Sequence, residues 1–196
     1  MRKPRRARRK ATFTDVLIDD VVSAITRMRD DDNPTHRREV VRSVFAAIEG
    51  FLWQLKQDVY GRGDSFAHRL SVHEHAAMRE EAYVVDGSGS VRATPRFLPL
   101  ATNIRLVVSI IQRYRTNYKV DFGHRGWSNL KAAIEIRHRL VHPKSLGDLI
   151  VTTTEVQQAI SGFSWLLALV IEVLRETVEY RQDIVARLKT AKAGPP

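Results

Sequence analysis

The chain has no cysteine among its 196 residues. A disulfide scaffold, a cysteine-ligated zinc site and a thiol nucleophile are therefore excluded. Stability must come from a hydrophobic core instead, and a compact domain of this length buries about 70% of the surface that its unfolded chain exposes. We expect one folded domain that needs no covalent cross-link.

Long apolar runs are also missing. The longest nearly apolar stretch, residues 163–174, is far shorter than the roughly 20 residues of a membrane-spanning helix, so it predicts a buried core helix. Asp15, Asp19 and Asp20 interrupt the segment where the apolar region of a signal peptide would follow the basic start. The expectation is a cytoplasmic protein without a membrane partner.

Acidic residues are absent from residues 1–12, which we interpret as a flexible basic arm. Its positive residues are Arg2, Lys3, Arg5, Arg6, Arg8, Arg9 and Lys10. They carry seven of the ten net positive charges, so the rest of the chain has a net charge of only +3. Such an arm suits RNA because neutralising phosphates releases counterions. A solvated tail is the alternative, and an acidic membrane surface is a weaker one because no amphipathic helix or lipidation signal accompanies the arm.

Apolar residues recur at helical spacing along most of the chain. The predicted helices cover residues 14–28, 35–60, 65–81, 101–114, 128–141 and 154–189. We expect Ser128 to cap the fifth of these helices, and Thr154 with Gln157 to cap the last. Two β-prone runs around a glycine-rich turn predict a hairpin insertion over 82–94. The predicted fold class is all-α: an antiparallel bundle of four to six helices with a small β-hairpin insertion, forming one domain over 13–196.

The second predicted helix is apolar on more than one side. Ala46, Ala47, Gly50 and Trp53 lie away from its main stripe. This pattern is typical of a helix that packs inside its own bundle and also against another surface. A subunit interface and complete enclosure within one monomer both remain open.

One arginine is predicted to lie within the apolar stripe of the helix at 128–141. At roughly 100° per residue, Arg137 is flanked by Leu130, Ala133, Ile134, Leu140 and Val141, with Lys131, Glu135 and Arg139 on the opposite side. An unpaired buried guanidinium is costly, so the group must meet a carboxylate, line a wet cleft or bind an anion. Glu49, on the second helix, is the expected partner if the role is structural.

A histidine follows at the end of the same helix. Pro143 disfavours the α conformation at His142 and so frees the imidazole to turn toward Arg137. Arginine binds phosphate without losing its proton, and histidine exchanges a proton near neutral pH. Together they supply the minimum for attack of a ribose 2′-hydroxyl on its own phosphodiester, a reaction that needs no metal and no cofactor.

Residues 136–145, Ile-Arg-His-Arg-Leu-Val-His-Pro-Lys-Ser, resemble the signature of the HEPN superfamily. In that family an arginine, commonly followed by Asn, Asp or His, precedes a histidine by four to six residues at the end of a helix in an all-helical bundle. Residues 44–56 are also similar to the second-helix pattern of many members. The resemblance spans about residues 40–174 and is close only at the motif.

The resemblance implies a homodimer in which two motifs face each other and form one metal-independent endoribonuclease site of the toxin or antiviral-defence kind. Arg137 would stabilise the phosphate charge, His142 would act as general base or acid, and His138 would orient the site. The product would be a 2′,3′-cyclic phosphate. Lys144 stands where some toxin members carry a tyrosine that a partner enzyme modifies, so regulation of that kind is not expected.

Further RNA contacts are predicted at Lys144 and Arg139 beside the motif and at Arg5, Arg6, Arg8 and Arg9 in the arm. A neutralising or activating protein is a further partner expected of a toxin-like enzyme. The competing hypothesis is a non-catalytic HEPN-like module for RNA binding or protein assembly, in which Arg137 is only structural.

Other groupings of reactive residues are weaker. His68, His73 and His75 lie near Glu74, but only His68 and His75 would share a helical face, so no metal site is predicted. Asp121, His124 and Ser128 lack the nucleophile-elbow sequence of a hydrolase triad. The three tryptophans, Trp53, Trp127 and Trp165, fit the core or an interface better than base stacking.

Overall fold

A computed structural model describes residues 11–61, 70–114 and 119–193 of the chain. This part contains six α-helices, a two-stranded hairpin and a short 3₁₀ helix at Leu146–Leu149. The helices are α1 (Phe13–Asp30), α2 (Pro34–Gly61), α3 (Val72–Met78), α4 (Leu100–Tyr114), α5 (Arg125–Val141) and α6 (Thr153–Ala193). The prediction of an all-α fold with a small hairpin is confirmed. The basic arm, with Arg5, Arg6, Arg8 and Arg9, lies outside the described residues apart from positions 11 and 12.

The hairpin extends one residue further at each end than predicted. Strands β1 (Glu81–Val85) and β2 (Val91–Pro95) are antiparallel. In the turn, the Asp86 carboxylate accepts hydrogen bonds from the backbone of Ser88 and Ser90, and Gly89 has a positive φ of 83°. Most side chains of the hairpin are exposed, so the insertion adds little to the core.

Two helix starts differ from the prediction. Helix α5 begins at Arg125 rather than Ser128, because the His124 ring accepts the N–H of Gly126 at 2.9 Å. Helix α6 begins at Thr153, and its capping box joins Thr152 to Glu155 rather than Thr154 to Gln157. The glutamate is ionised and therefore the stronger acceptor for the backbone N–H of the cap.

Helix α3 is shorter than the predicted helix at 65–81. Ser71 caps its first turn and receives the reciprocal bond from its own N–H to Glu74. The helix ends at Met78, because Glu80 adopts a left-handed backbone with φ of 55° and the chain then enters β1. Residues 65–69 of the predicted helix lie outside the described residues.

Helix α2 is the central element, since it contacts α1, α4, α5 and α6. Its stripe of fully buried side chains, Val40, Val41, Val44, Ile48, Phe51 and Leu55, meets the apolar faces of these neighbours. Phe51 stacks on Phe163 of α6 with ring centroids 5.9 Å apart. This shared core fixes α5, and therefore the motif, relative to α2.

The second apolar face of α2 is only partly open. Ala47 is fully buried and belongs to the core, as expected if this part of the face is enclosed within one monomer. Gly50 faces Leu17 and Phe13 of α1, and Trp53 packs its edge on Phe13 at 5.9 Å. Trp53 nevertheless stays 55% exposed. Helix α1 thus covers Gly50 and contacts Trp53, while Ala46 and much of the indole stay exposed.

Within α6, residues Thr153–Arg175 are long and apolar enough to cross a membrane, a longer stretch than the sequence reading recognised. Core packing accounts for part of this apolarity, since 44% of the most apolar window is buried and Ile171 is exposed. One side of the stretch supplies the buried residues Val156, Ala159, Phe163, Leu166, Leu169, Val170 and Val173. The apolar segment is used here as a core helix of the bundle.

Helices α5 and α6 approach closely at two glycines. A Cβ atom on Gly162 would lie 2.6 Å from the Cα of Leu130, and one on Gly126 would overlap the Trp165 side chain. The first of these contacts is with backbone, which cannot swing aside. The pair of glycines therefore sets the separation of α5 and α6.

We predict that Gly162→Ala lowers the free energy of unfolding by about 1–3 kcal/mol, the usual cost of overpacking a core. Gly50→Ala is the matched control, because its new methyl would meet only the ends of the Leu17 and Phe13 side chains. The control should change stability by less than about 1 kcal/mol, since helix propensity favours alanine. Urea denaturation at one protein concentration measures the free energy of unfolding of both variants. Equal losses at the two positions would contradict the backbone-contact argument.

Candidate functional site

The C-terminal half of α5 carries the predicted motif. Ala133, Ile136 and Leu140 are buried, whereas Val141 is 48% exposed. The apolar arc is therefore centred further toward Ile136 than the helical wheel predicted. Arg137 lies at the margin of this arc, with 32% of its side chain exposed, rather than in its middle.

Arg137 makes an ion pair with Glu49 of α2. Its Nη2 donates to Glu49 Oε1 at 2.8 Å, and 49% of the carboxylate side chain is exposed. The other N–H groups of this guanidinium bond to no residue that the structure describes. A half-exposed pair of this kind contributes about 0–1 kcal/mol. The pairing therefore leaves Arg137 able to accept an anionic ligand in place of, or beside, Glu49.

His142 ends α5. Its φ of −125° and ψ of 59° lie outside the helical region, as expected before Pro143, and its backbone N–H bonds to His138 O at 3.0 Å. The residue is exposed. The break in the helix places the ring of His142 beside two cavities that Arg137 and His138 also line.

These two cavities share the three motif residues as a common wall. The large cavity, about 650 Å³, is bounded beyond the motif by Glu49, Leu52, Trp53, Lys56, Glu80, Phe97, Leu98, Pro99, Leu100 and Asn103. The small cavity, about 460 Å³, is bounded beyond the motif by Arg139, Lys144 and Asp148. Both are open to solvent. Arg137, His138 and His142 thus lie between a large hollow and a smaller, basic one.

The loop after α5 holds Lys144 at the small cavity. Asp148 Oδ2 accepts the N–H groups of Lys144 and Ser145, both at 2.9 Å, and the Ser145 hydroxyl at 3.1 Å. The hydrogen bonds from the Lys144 backbone and the Ser145 hydroxyl lower the pKa of Asp148. The ionised carboxylate therefore fixes the backbone on which the exposed Lys144 side chain stands.

Arg139, predicted to lie on the solvated face, is only 25% exposed and is bound to the protein, while its RNA contact stays a prediction. Its Nη1 donates to the carbonyls of Asp148 and Ile150 at 3.1 and 2.6 Å, and its Nη2 donates to Glu155. Burial raises the pKa of Glu155, but hydrogen bonds from the Thr152 backbone and from Arg139 outweigh it and lower the pKa overall. This geometry gives Arg139 a positioning role for the loop.

Two arginines of α2 hold the same loop, and sequence reasoning missed them. Arg37 donates to Val151 O at 3.3 Å, and Arg38 donates to Leu149 O at 3.2 Å. Both bonds join residues more than a hundred positions apart, so no local pattern pointed to them. The loop of the motif is therefore anchored to α2 as well as to α5.

The large cavity contains a polar group that the sequence analysis also missed. Lys56 Nζ and Asn103 Nδ2 both bond to Glu80 Oε1, at 2.7 and 2.8 Å, and the lysine and asparagine are buried. One signal was present in the sequence. Lys56 follows Leu52 and Leu55 in the apolar stripe of α2, so the wheel argument applied to Arg137 would have flagged it as well.

The weaker groupings do not assemble. Among the described residues no three His, Asp or Glu side chains are placed to hold a metal ion, and His68 lies outside them. His124 caps α5, and Asp121 accepts the N–H of Gly123. Trp127 and Trp165 pack with Phe122 in the core, beneath the Arg105 guanidinium.

We predict that Asp148→Ala accelerates hydrogen exchange of the Lys144 and Ser145 amides severalfold at neutral pH, because their acceptor is removed. Asp86→Ala is the matched control, since Asp86 holds the hairpin turn in the same way. The control should affect only the turn amides of Ser88 and Ser90. Unchanged exchange at Lys144 in Asp148→Ala would contradict the assigned role.

Comparisons of the chain with family models, with curated proteins and with solved structures returned no match.

Proposed function

We propose that the chain is a metal-independent endoribonuclease of the HEPN toxin or antiviral-defence type. The observation that carries the proposal is the shared wall of Arg137, His138 and His142 between two open cavities. A permanent cation and a proton-exchanging ring in one cleft suit a phosphodiester. The resemblance of residues 136–145 to the HEPN signature supports the same chemistry.

The proposed reaction is an internal transesterification. The ribose 2′-oxygen attacks the adjacent phosphorus while His142 removes its proton. Arg137 stabilises the negative charge that grows on the non-bridging oxygens. The P–O5′ bond breaks, and the leaving oxygen takes a proton, which gives a 2′,3′-cyclic phosphate and a 5′-hydroxyl end. His138, one residue from Arg137, orients the scissile group.

Glu49 fits this reaction as a holding group for the arginine. In the free protein it receives one N–H of the guanidinium. A bound phosphate offers two oxygens in a geometry that matches the guanidinium fork and carries more charge. Replacing the half-exposed Glu49 carboxylate by a phosphate as the partner of Arg137 therefore costs little free energy. Glu49 keeps Arg137 aimed at the cavity until RNA arrives.

A homodimer completes the proposed site. One His142 can serve as base or acid in a single turnover, and a second motif facing it would supply the other proton transfer. Lys144 at the small cavity and the arginines of the N-terminal arm would bind flanking phosphates. The arm would act without sequence preference, since contacts to phosphate carry no base information.

A second candidate function is a non-catalytic HEPN-like module for RNA binding or protein assembly. The Arg137–Glu49 ion pair is the observation that favours it, because a pair joining α2 to α5 suffices to explain an arginine at this position. In that case RNA would bind without being cut.

We predict that the wild-type protein cleaves total RNA or a tRNA pool in EDTA and leaves cyclic-phosphate ends. His142→Ala should lower the rate by about 10²–10⁴-fold, the usual contribution of a general acid or base. Arg137→Ala should lower it by about 10²–10³-fold, as for loss of a transition-state charge partner. Gel analysis with end-group mapping measures the rate and the product.

The matched controls are His73→Ala and Arg92→Ala, which remove an exposed histidine and an exposed arginine outside both cavities. Both should cleave like the wild type. A folded wild-type dimer that leaves every RNA intact while still binding it would favour the non-catalytic module. Equal loss in the controls would show that the motif is not the site.

We predict a solution mass of twice the 22.4 kDa of one chain. A mixture of Arg137→Ala and His142→Ala proteins, co-refolded so that subunits exchange, tests whether the two motifs cooperate. If each site draws on both subunits, the mixed dimer keeps one Arg137 and one His142 and should cleave faster than either variant alone. It should stay slower than the wild type, because the second histidine is missing. A monomer that cleaves at the full rate would refute the composite site.

A further inference from the structure

We propose that the large cavity is a base-recognition subsite that accepts a guanine next to the scissile phosphate. The inference rests on the proposed function and names the substrate feature that the same site would read. Its evidence is separate from the motif. It comes from three buried or half-buried polar side chains and two exposed aromatic rings on the other walls of the cavity.

The polar wall is a built site rather than a surface cluster. Lys56 is 7% exposed and Asn103 is 5% exposed, and both bond to the same oxygen, Oε1 of Glu80. Burying an ion pair and an amide costs more free energy than burying apolar side chains of the same size, so their presence here calls for an explanation. A ligand that enters the cavity and bonds to these groups would explain it.

Asn103 has an acceptor that no residue in the described part of the chain satisfies. Its Oδ1 is buried and receives no hydrogen bond there. The amide cannot be turned around, because Nδ2 must face the Glu80 carboxylate, which only accepts. The orphaned oxygen has almost no accessible surface, although Asn103 lines the cavity, so a ligand would reach it after a small shift of the side chains that cover it. A ligand with an N–H donor would remove the cost of leaving it unbonded.

Glu80 is held in place at some expense to the backbone. It is the only residue other than glycine with a positive φ, 55°, among those the structure describes. Strained backbone of this kind persists where surrounding contacts require it and is concentrated at ligand sites. Burial raises the pKa of Glu80, but the hydrogen bonds from Lys56 and Asn103 outweigh it and lower the pKa, so the side chain stays an acceptor.

Guanine is the base whose edge complements this wall. Its Watson–Crick edge presents two adjacent N–H donors, N1 and N2, beside one acceptor, O6. The wall presents two acceptors, Asn103 Oδ1 and the Glu80 carboxylate, beside the Lys56 ammonium. Adenine, cytosine and uracil each present only one N–H donor group on that edge. These three bases would leave Asn103 Oδ1 unpaired, as it is in the free protein, whereas guanine would gain one more hydrogen bond than they do.

Two exposed aromatic residues stand on the same cavity. Phe97 is 82% exposed and Trp53 is 55% exposed, and both line the hollow into which the base would enter. A ring with that exposure contributes little to the core. Either ring can stack on a base that points toward Asn103. Since Arg137 and His142 line the same cavity, a nucleotide whose base is bound there would have its phosphate at the motif.

The test is equilibrium binding with the full chain carrying His142→Ala, so that the result does not depend on cleavage. Labelled RNA heptamers differ only at the central base, which is G, A, C, U or inosine, and about 0.2 M salt weakens sequence-independent phosphate contacts. We expect guanine to bind about tenfold tighter than A, C or U. Inosine lacks the N2 amino group and should bind about fivefold weaker than guanine.

Two variants test which residues cause the guanine preference and the stacking. Asn103→Leu, similar in volume, should abolish the guanine preference, and Phe97→Ala should weaken all five RNAs about tenfold. Tyr83→Ala is the matched control, an exposed aromatic residue outside the large cavity, and should bind like its parent. Circular dichroism confirms that each variant is folded.

Equal affinity for all bases, a guanine preference that survives in folded Asn103→Leu, or undiminished binding of all five RNAs by folded Phe97→Ala would overturn the subsite. That failure is separate from failure of the proposed function, which is read from RNA cleavage by the wild type. A wild type that cuts RNA without base preference would keep the ribonuclease and remove the subsite. A protein that prefers guanine but never cuts would keep the subsite and remove the ribonuclease.

Discussion

The backbone contact between α5 and α6 at Gly162 and Leu130 sets the geometry on which the site depends. A helix can approach another this closely only where no Cβ intervenes, and a close approach fixes both the separation and the rotation of the pair. With α5 held in that rotation, Ala133, Ile136 and Leu140 enter the core and Arg137 comes to the edge of it. The arginine therefore faces Glu49 and the cavity.

Two cations lie on or beside the apolar faces of their helices, and their surroundings separate their roles. Lys56 is buried and paired to a carboxylate that also holds an asparagine. Arg137 is one-third exposed and paired to a carboxylate that is half exposed. The buried Lys56 group is rigid and forms part of the cavity wall. The Arg137–Glu49 pair is open to solvent, so a ligand can displace it. This contrast is what makes Arg137, rather than Lys56, suited to meeting a phosphate.

The motif histidine depends on a loop that four side chains hold. Asp148 fixes the backbone at Lys144, while Arg37, Arg38 and Arg139 donate to carbonyls between Asp148 and Val151. Carbonyls after a helix end need donors, and arginine can supply several at once. Of the positive charges clustered near His142, Arg139 is thereby committed to the protein, and Lys144 is left at the cavity.

The sequence by itself determined the helical class, the hairpin, the core stripe of α2 and the motif at the end of α5, because each depends on local periodicity, turn residues and proline geometry. It also named Glu49 as the expected partner of Arg137 if the role of the arginine is structural. It misplaced two caps, since competing Ser, Thr and His candidates differ only in which backbone N–H they reach. Tertiary structure alone decided that Arg139 faces the loop, that Ala47 is buried, and that Lys56, Glu80 and Asn103 meet in one cavity. These contacts join distant parts of the chain, so they follow from how the helices pack rather than from any local pattern.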